Sequence, residues 1–289
     1  MNNNKLVPYF PSGVCLKKNN IYDETLDTSL PINNTAKMML MEIDGDKEIN
    51  EIIQNLNTKF KVDEDILFKD ISTLFGNLNR NYLLNWRVKT NSKIKDLIIN
   101  FLSQYKRSYK ERFEIHNFDF FSIFLKILMV VLRKIIIFWI AVVVLSIVAY
   151  IYAQMEFIIS LIYYFSVVYA GLILSFALHE TMHAYMHRKM TNKYPGFIAS
   201  DVMSVKFIRP VIMPYQKKMI WITLLGPLTP GIIGIIGILL TQVFGASGSL
   251  AYTLNVIFTM FAVHMFYLLP FLGDGKSIVG QFMLNKLGG

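Results

Sequence analysis

His179-Glu180-Thr181-Met182-His183 sets two imidazoles four residues apart, with a carboxylate beside the first. On a helix, positions i and i+4 share a face, so both rings can ligate one cation while the glutamate reaches a water held there. The run before the motif, residues 157–178, carries no charged side chain. A helix through both segments holds ionisable groups at the edge of a bilayer, where they are costly and presumed functional. This pattern reads as zinc-assisted hydrolysis inside a membrane.

The elements that must position these groups are legible in composition. The 289 residues are 54% hydrophobic, with a mean hydropathy of +0.42, more apolar than an ordinary soluble domain. Residues 1–116 hold 17 Lys/Arg and 15 Asp/Glu, whereas 117–289 hold 12 and 5. The first part reads as a charged soluble domain and the second as a membrane domain. Crossing a bilayer takes roughly 20 apolar residues. Residues 135–153, 157–178, 219–244 and 250–269 qualify. Residues 118–132 are apolar but interrupted by Lys126, and Arg133 and Lys134 follow; they read as a surface helix or as an extension of the first span.

Neither the link at 154–156 nor that at 245–249 carries a positive charge, and all 12 Lys/Arg of this half fall on the other side. The positive-inside rule then puts both termini in the cytosol. The polar, Asn-rich N-terminus has no signal-peptide pattern, which agrees. The lone Cys15 excludes an internal disulfide framework and reads as a small apolar strand residue. Five histidines are too few for a membrane di-iron oxygenase.

In this topology the fourth span descends to the level of the two histidines and delivers Asp274 there. The carboxylate can be a metal ligand, a helix cap, or an interfacial charge paired with Lys276. A catalytic zinc commonly takes three protein ligands and a water, which favours the ligand role. His264 lies about three turns above Asp274 and reads as a buried hydrogen-bonded residue, otherwise as a contact to a ligand or to substrate. His187 reads as an interfacial residue beyond the motif, and His116 only marks the boundary between the halves. Residues 202–208 read as one or two short strands beside the site. Val205 and Phe207 are candidates to hold an extended peptide by edge pairing; a plain structured loop is the other reading.

His-Glu-x-x-His ending one span, Leu224-Leu225-Gly226-Pro227 opening the next, and a Pro-x-x-x-Asp-Gly element at Pro270, Asp274 and Gly275 together resemble the site-2 protease family of intramembrane zinc metalloproteases. The likeness covers about residues 157–276. It implies that His179, His183 and Asp274 bind one zinc ion and that Glu180 is the general base. The family pattern Asn-x-x-Pro-x-x-x-Leu-Asp-Gly is altered here. Gly273 stands in place of the Leu, the Pro-to-Asp interval is one residue short, and the Asn position falls on Tyr267 or Phe266. Tyr267 is the candidate to orient the substrate carbonyl instead.

Residues 1–90 read as short strands at 14–17 and 20–30, helices at 35–43, 46–60 and 63–78, and a returning strand at 82–84: a winged-helix-like α+β domain. Its helices are acidic (Glu42, Asp44, Asp46, Glu48, Glu51, Asp63, Glu64, Asp65, Asp70), which excludes a nucleic-acid partner. The order of elements is similar to PqqD-like peptide-recognition domains, which implies capture of a leader peptide at a sheet edge. Residues 91–115 read as a basic helix resting near anionic headgroups or as a solvated linker helix, within a linker and interfacial segment at 91–132. The membrane metalloprotease domain is then 133–289. Expected overall is a multi-pass α-helical protein of the cell membrane, with about four spans, a small β element and the N-terminal domain. It would cleave a ribosomally synthesised precursor peptide during maturation or export. The alternatives are a regulatory site-2 protease cutting an anti-sigma factor or signal-peptide remnant, and a non-catalytic export or immunity protein.

Overall fold

A computed structural model describes residues 6–90, 92–106, 109–153, 156–202, 204–210, 217–244 and 248–287. Asn91 and Arg107 of the expected basic helix, Gln154, Met155, Met203, and residues 211–216 and 245–247 lie outside the described residues. The chain forms two units: Met1–His116 with Gly196–Pro210, and Asn117–Pro195 with Val211–Gly289. The division falls at 116 rather than 90, and a later segment joins the first unit.

The first unit holds β1 (Leu6–Tyr9), β2 (Val14–Lys17), β3 (Asn20–Asp23), β4 (Thr28–Pro31), α1 (Asn34–Met41), α2 (Ile49–Phe60), α3 (Glu64–Arg80), β5 (Asn85–Val88), α4 (Lys93–Ser103), β6 (Lys110–Phe113), β7 (Phe197–Asp201) and β8 (Val205–Ile208). Local signals set the helix starts. The Asn33 side chain accepts the Ala36 N–H at 2.7 Å, Glu48 and Glu51 form a reciprocal capping box, and Asp63 accepts from Asp65. Apolar stripes then close the core. Leu40 of α1, Ile52 and Leu56 of α2, and Ile71 and Phe75 of α3 are fully buried around Ile21 and Leu84.

Three small antiparallel sheets run β1-β5, β2-β3-β4 and β6-β7-β8. The expected strand at 20–30 is two strands, because the chain turns through Asp27 at φ 56°. The returning strand begins at Asn85 rather than at 82. Tyr82, at φ 59°, instead turns the chain out of α3. The expected helix at 91–115 stops at Ser103, and Lys110–Phe113 is a strand. Burial decides this. Arg112 is fully buried, its guanidinium on both oxygens of Asp23 at 2.5 and 3.0 Å and on Glu114 at 2.5 Å, and 3.9 Å over the Phe197 ring. The Asn85 side chain also pairs with the Arg112 backbone N–H and C=O as a strand would.

The joint between α1 and α2 is tuned by charge. Lys59 Nζ lies 2.5 Å from Glu42 Oε1, and this bond, helped by Asn55 and Lys47, holds the Glu42 carboxyl below its ordinary 4.5. Asp44 accepts the Asp46 and Lys47 backbone N–H groups and falls to about 2. Both groups have folded-state values below their unfolded ones. Their stabilisation is therefore present above pH 4.5 and lost as pH falls through the folded values. We expect the melting temperature read from Trp86 fluorescence, in a Trp139→Phe/Trp221→Phe background, to drop between pH 5 and pH 3, and Glu42→Gln to shrink that drop. An equal drop in Glu42→Gln would contradict this.

The second unit consists of α5 (Phe120–Ala153), α6 (Glu156–Thr191), α7 (Lys217–Val243), α8 (Gly248–Val263), a 3-10 turn (His264–Leu268) and α9 (Gly273–Leu287). Among the described residues four segments, Phe120–Tyr152, Ser160–Thr191, Lys218–Val243 and Gly248–Met283, are long and apolar enough to cross a membrane. Residues 118–132 are not a separate surface helix: from Phe120 on they continue straight into the first long helix. Hydroxyls inside these helices bond back to their own turn or across to a neighbour. Thr181 Oγ1 donates to the Ala177 carbonyl at 2.6 Å, and Thr241 Oγ1 to Asn255 Oδ1 at 2.5 Å. The fourth segment breaks at Leu269-Pro270, and α9, which the sequence reading did not include, starts just before Asp274.

Candidate metal centre

His179 and His183 sit one turn apart on α6, and Asp274 sits in the first turn of α9. His179 Nε2 is 3.1 Å from His183 Nε2 and 3.1 Å from Asp274 Oδ2, and His183 Nε2 is 3.4 Å from Asp274 Oδ1. Both histidines are buried, and the Asp274 side chain is nearly so.

The tautomers bear on what can sit there. His183 Nδ1 is 2.8 Å from the Ile222 carbonyl on α7, which only accepts, so Nδ1 carries a proton, and in the neutral ring Nε2 is the lone pair left for a ligand. That nitrogen faces a carboxylate oxygen at 3.4 Å, a pairing that either a shared cation or a proton on the ring makes attractive. A tetrahedral zinc with arms of about 2.0–2.1 Å needs donors about 3.3 Å apart. The observed separations meet that requirement, so the residues present fit a zinc ion. The orienting bond from His183 to Ile222 is also the kind that holds imidazole ligands in register. His179 Nδ1 is buried without such a partner among the described residues.

Two glycines make the approach possible. A Cβ at Gly226 would stand 2.2–2.7 Å from the His183 ring, so only glycine lets α7 come this close. A Cβ at Gly275 would stand 2.1 Å from the Leu269 carbonyl oxygen, which is why α9 can fold back and present Asp274. Pro227 and Pro230 interrupt the α7 ladder next to this contact. Gly226→Ala should displace the His183 ring and lower metal affinity about 10–100-fold, measured by competition with a fluorescent chelator. Unchanged affinity would show that the ring position is not set by this packing.

Glu180, next after His179, is half-buried on α6. His264 is buried, with Nδ1 3.4 Å from the Met260 carbonyl and its ring 5.5 Å from His179. Tyr267 stacks on His264 at 5.4 Å and lies 5.6 Å from the His179 ring, so the 3-10 turn puts both beside the donors. His187, expected at the interface, is instead fully buried, with the Thr191 hydroxyl 3.5 Å from Nδ1. Its place one turn past His183 keeps it on the covered face of α6. Val205 and Phe207 belong to β8, in the first unit, rather than to the helices that carry the donors.

Sequence reasoning missed the Ile222 carbonyl, since any residue supplies one. The Leu-Leu-Gly-Pro element was the available signal, because its glycine marks a close approach. Compared with protein-family models, with curated proteins and with solved structures, the chain matches none of them.

Proposed function

We propose that this chain is an intramembrane zinc metalloprotease of site-2 protease type. Its substrate is a ribosomally made precursor peptide, whose leader the N-terminal unit holds. The observation that carries the reading is the convergence at 3.1–3.4 Å of Asp274 with His179 and His183, which sit on a helix apolar enough to span a bilayer, with Glu180 beside the first ligand.

His179, His183 and Asp274 would hold the ion. When bound, zinc supplies Lewis acidity and makes water more acidic. The chain's own residues do the rest. Glu180 accepts a proton from the attacking water and returns it to the leaving amine. His264 and Tyr267 line the same end of the site. The scissile segment must be unwound there, because helical carbonyls are already hydrogen-bonded. For leader capture, the support is β4. It is an edge strand exposed at all four positions, suited to main-chain pairing with an extended peptide. The one-sided distribution of Lys and Arg supports a multi-pass membrane protein with both termini in the cytosol.

The test is purification in detergent, metal analysis, and cleavage of candidate precursor peptides by wild type and Glu180→Gln. Cleavage by wild type alone, with about one zinc in each protein, supports the reading. Processing that survives Glu180→Gln overturns it.

A further inference from the structure

α4 is amphipathic, yet it is docked the wrong way round for a soluble domain. Its polar side holds it to the first unit. Asn100 pairs with both the N–H and the C=O of Val88 at 2.7 and 2.9 Å, and Asp96 accepts the Thr90 N–H at 2.6 Å. At about 100° per residue, Asp96, Asn100 and Ser103 share one side and Ile94, Leu97, Ile98 and Leu102 the opposite one. That apolar side faces outward. Ile94 is 73% exposed, Leu97 72%, Ile98 49% and Leu102 51%, and no residue of the helix is buried. A soluble domain gains by turning such a stripe inward. Here the inward bonds are all polar.

We propose that α4 lies in the plane of an anionic lipid bilayer, with this stripe in the boundary between headgroups and acyl chains. Charge selects that occupant. The exposed ions on the helix are Lys93 and Lys95, and its one acid, Asp96, is spent on the domain. A basic rim on an apolar face is the signature of interfacial helices and suits anionic headgroups. A second copy fits less well. A stable protein interface covers about 800 Å² per partner, more than four side chains of an 11-residue helix supply. Connectivity also favours lipid, since the chain passes between the units at 116/117, 195/196 and 210/211. The first unit is thus tethered three times to the helices read as membrane-spanning. The proposal rests on that reading, and the test separates the two.

The experiment uses the full chain with Cys15→Ser, reconstituted into vesicles of phosphatidylcholine and phosphatidylglycerol. Nitroxides are placed singly at Leu97→Cys, Ile98→Cys, Val144→Cys on α5, and Ser29→Cys on β4. All four positions are exposed, so none removes a core side chain. Collision rates with oxygen and with a water-soluble nickel chelate give the depth of each label. We expect Leu97 and Ile98 to favour oxygen several-fold over Ser29, as Val144 does, and the preference to weaken in phosphatidylcholine alone. If Val144 favours oxygen while Leu97 favours nickel, the α4 proposal fails and the membrane reading stands. If Leu97 is shielded from both reagents, a protein covers the stripe and the proposal fails. If Val144 also favours nickel, the membrane reading itself fails. Equal oxygen preference in both vesicle types overturns the requirement for anionic lipid.

Discussion

Glu180→Gln should lower peptide-hydrolysis turnover by about a thousandfold while leaving bound zinc unchanged. A positioned acid–base group contributes about 10²–10⁴ in rate, and Gln keeps the shape of Glu while removing its basicity. His179, His183 and Asp274 are untouched, so the donor set stays as it is. The paired readouts matter. Loss of turnover with metal retained assigns Glu180 to proton transfer. Loss of both would make it a structural support of the centre, and loss of neither would remove it from the chemistry. Asp274→Ala is the useful contrast, because it deletes a donor and should empty the site and abolish turnover together.

Arg112→Met should destabilise the first unit by about 3–5 kcal/mol, the usual cost of stranding a buried ionic partner. Arg112 is fully buried between Asp23 and Glu114, with Thr25 Oγ1 as a further acceptor at 2.8 Å. Removing the guanidinium leaves the Asp23 carboxylate buried, with the Thr25 and Leu26 N–H groups as its remaining donors among the described residues. It also takes the cation from the Phe197 ring. The double variant Asp23→Leu/Arg112→Met should recover part of the loss, since the fully buried carboxylate is gone and only Glu114, 11% exposed, then lacks its cation. Chemical denaturation followed by Trp86 fluorescence, in a Trp139→Phe/Trp221→Phe background, measures both variants against the parent. An Arg112→Met effect within 1 kcal/mol of wild type would show that the network contributes little net stability.

The two cases differ in how far the sequence reaches. The shared face of His179 and His183 follows from the helical repeat alone, because residues four apart are neighbours on any helix. The long apolar helices and the stripes of α2 and α3 are set by composition and period. The helix starts at Asn33, Glu48 and Asp63 are likewise local, each a side chain bonding within three residues of itself.

Tertiary structure alone decided the rest. The lone pair of His183 is directed by a carbonyl 39 residues away, and every residue type carries that group. β6 is a strand because Asp23, 89 residues earlier, offers a buried carboxylate to Arg112. Without that partner, residues 91–115 read as one basic helix. The outward face of α4 belongs here too. Period shows that a helix has two sides, but only the hydrogen bonds of Asp96 and Asn100 choose which one turns inward. Short-range steric and hydrogen-bond rules are written residue by residue, whereas pairing across the chain depends on which distant groups the fold brings within reach.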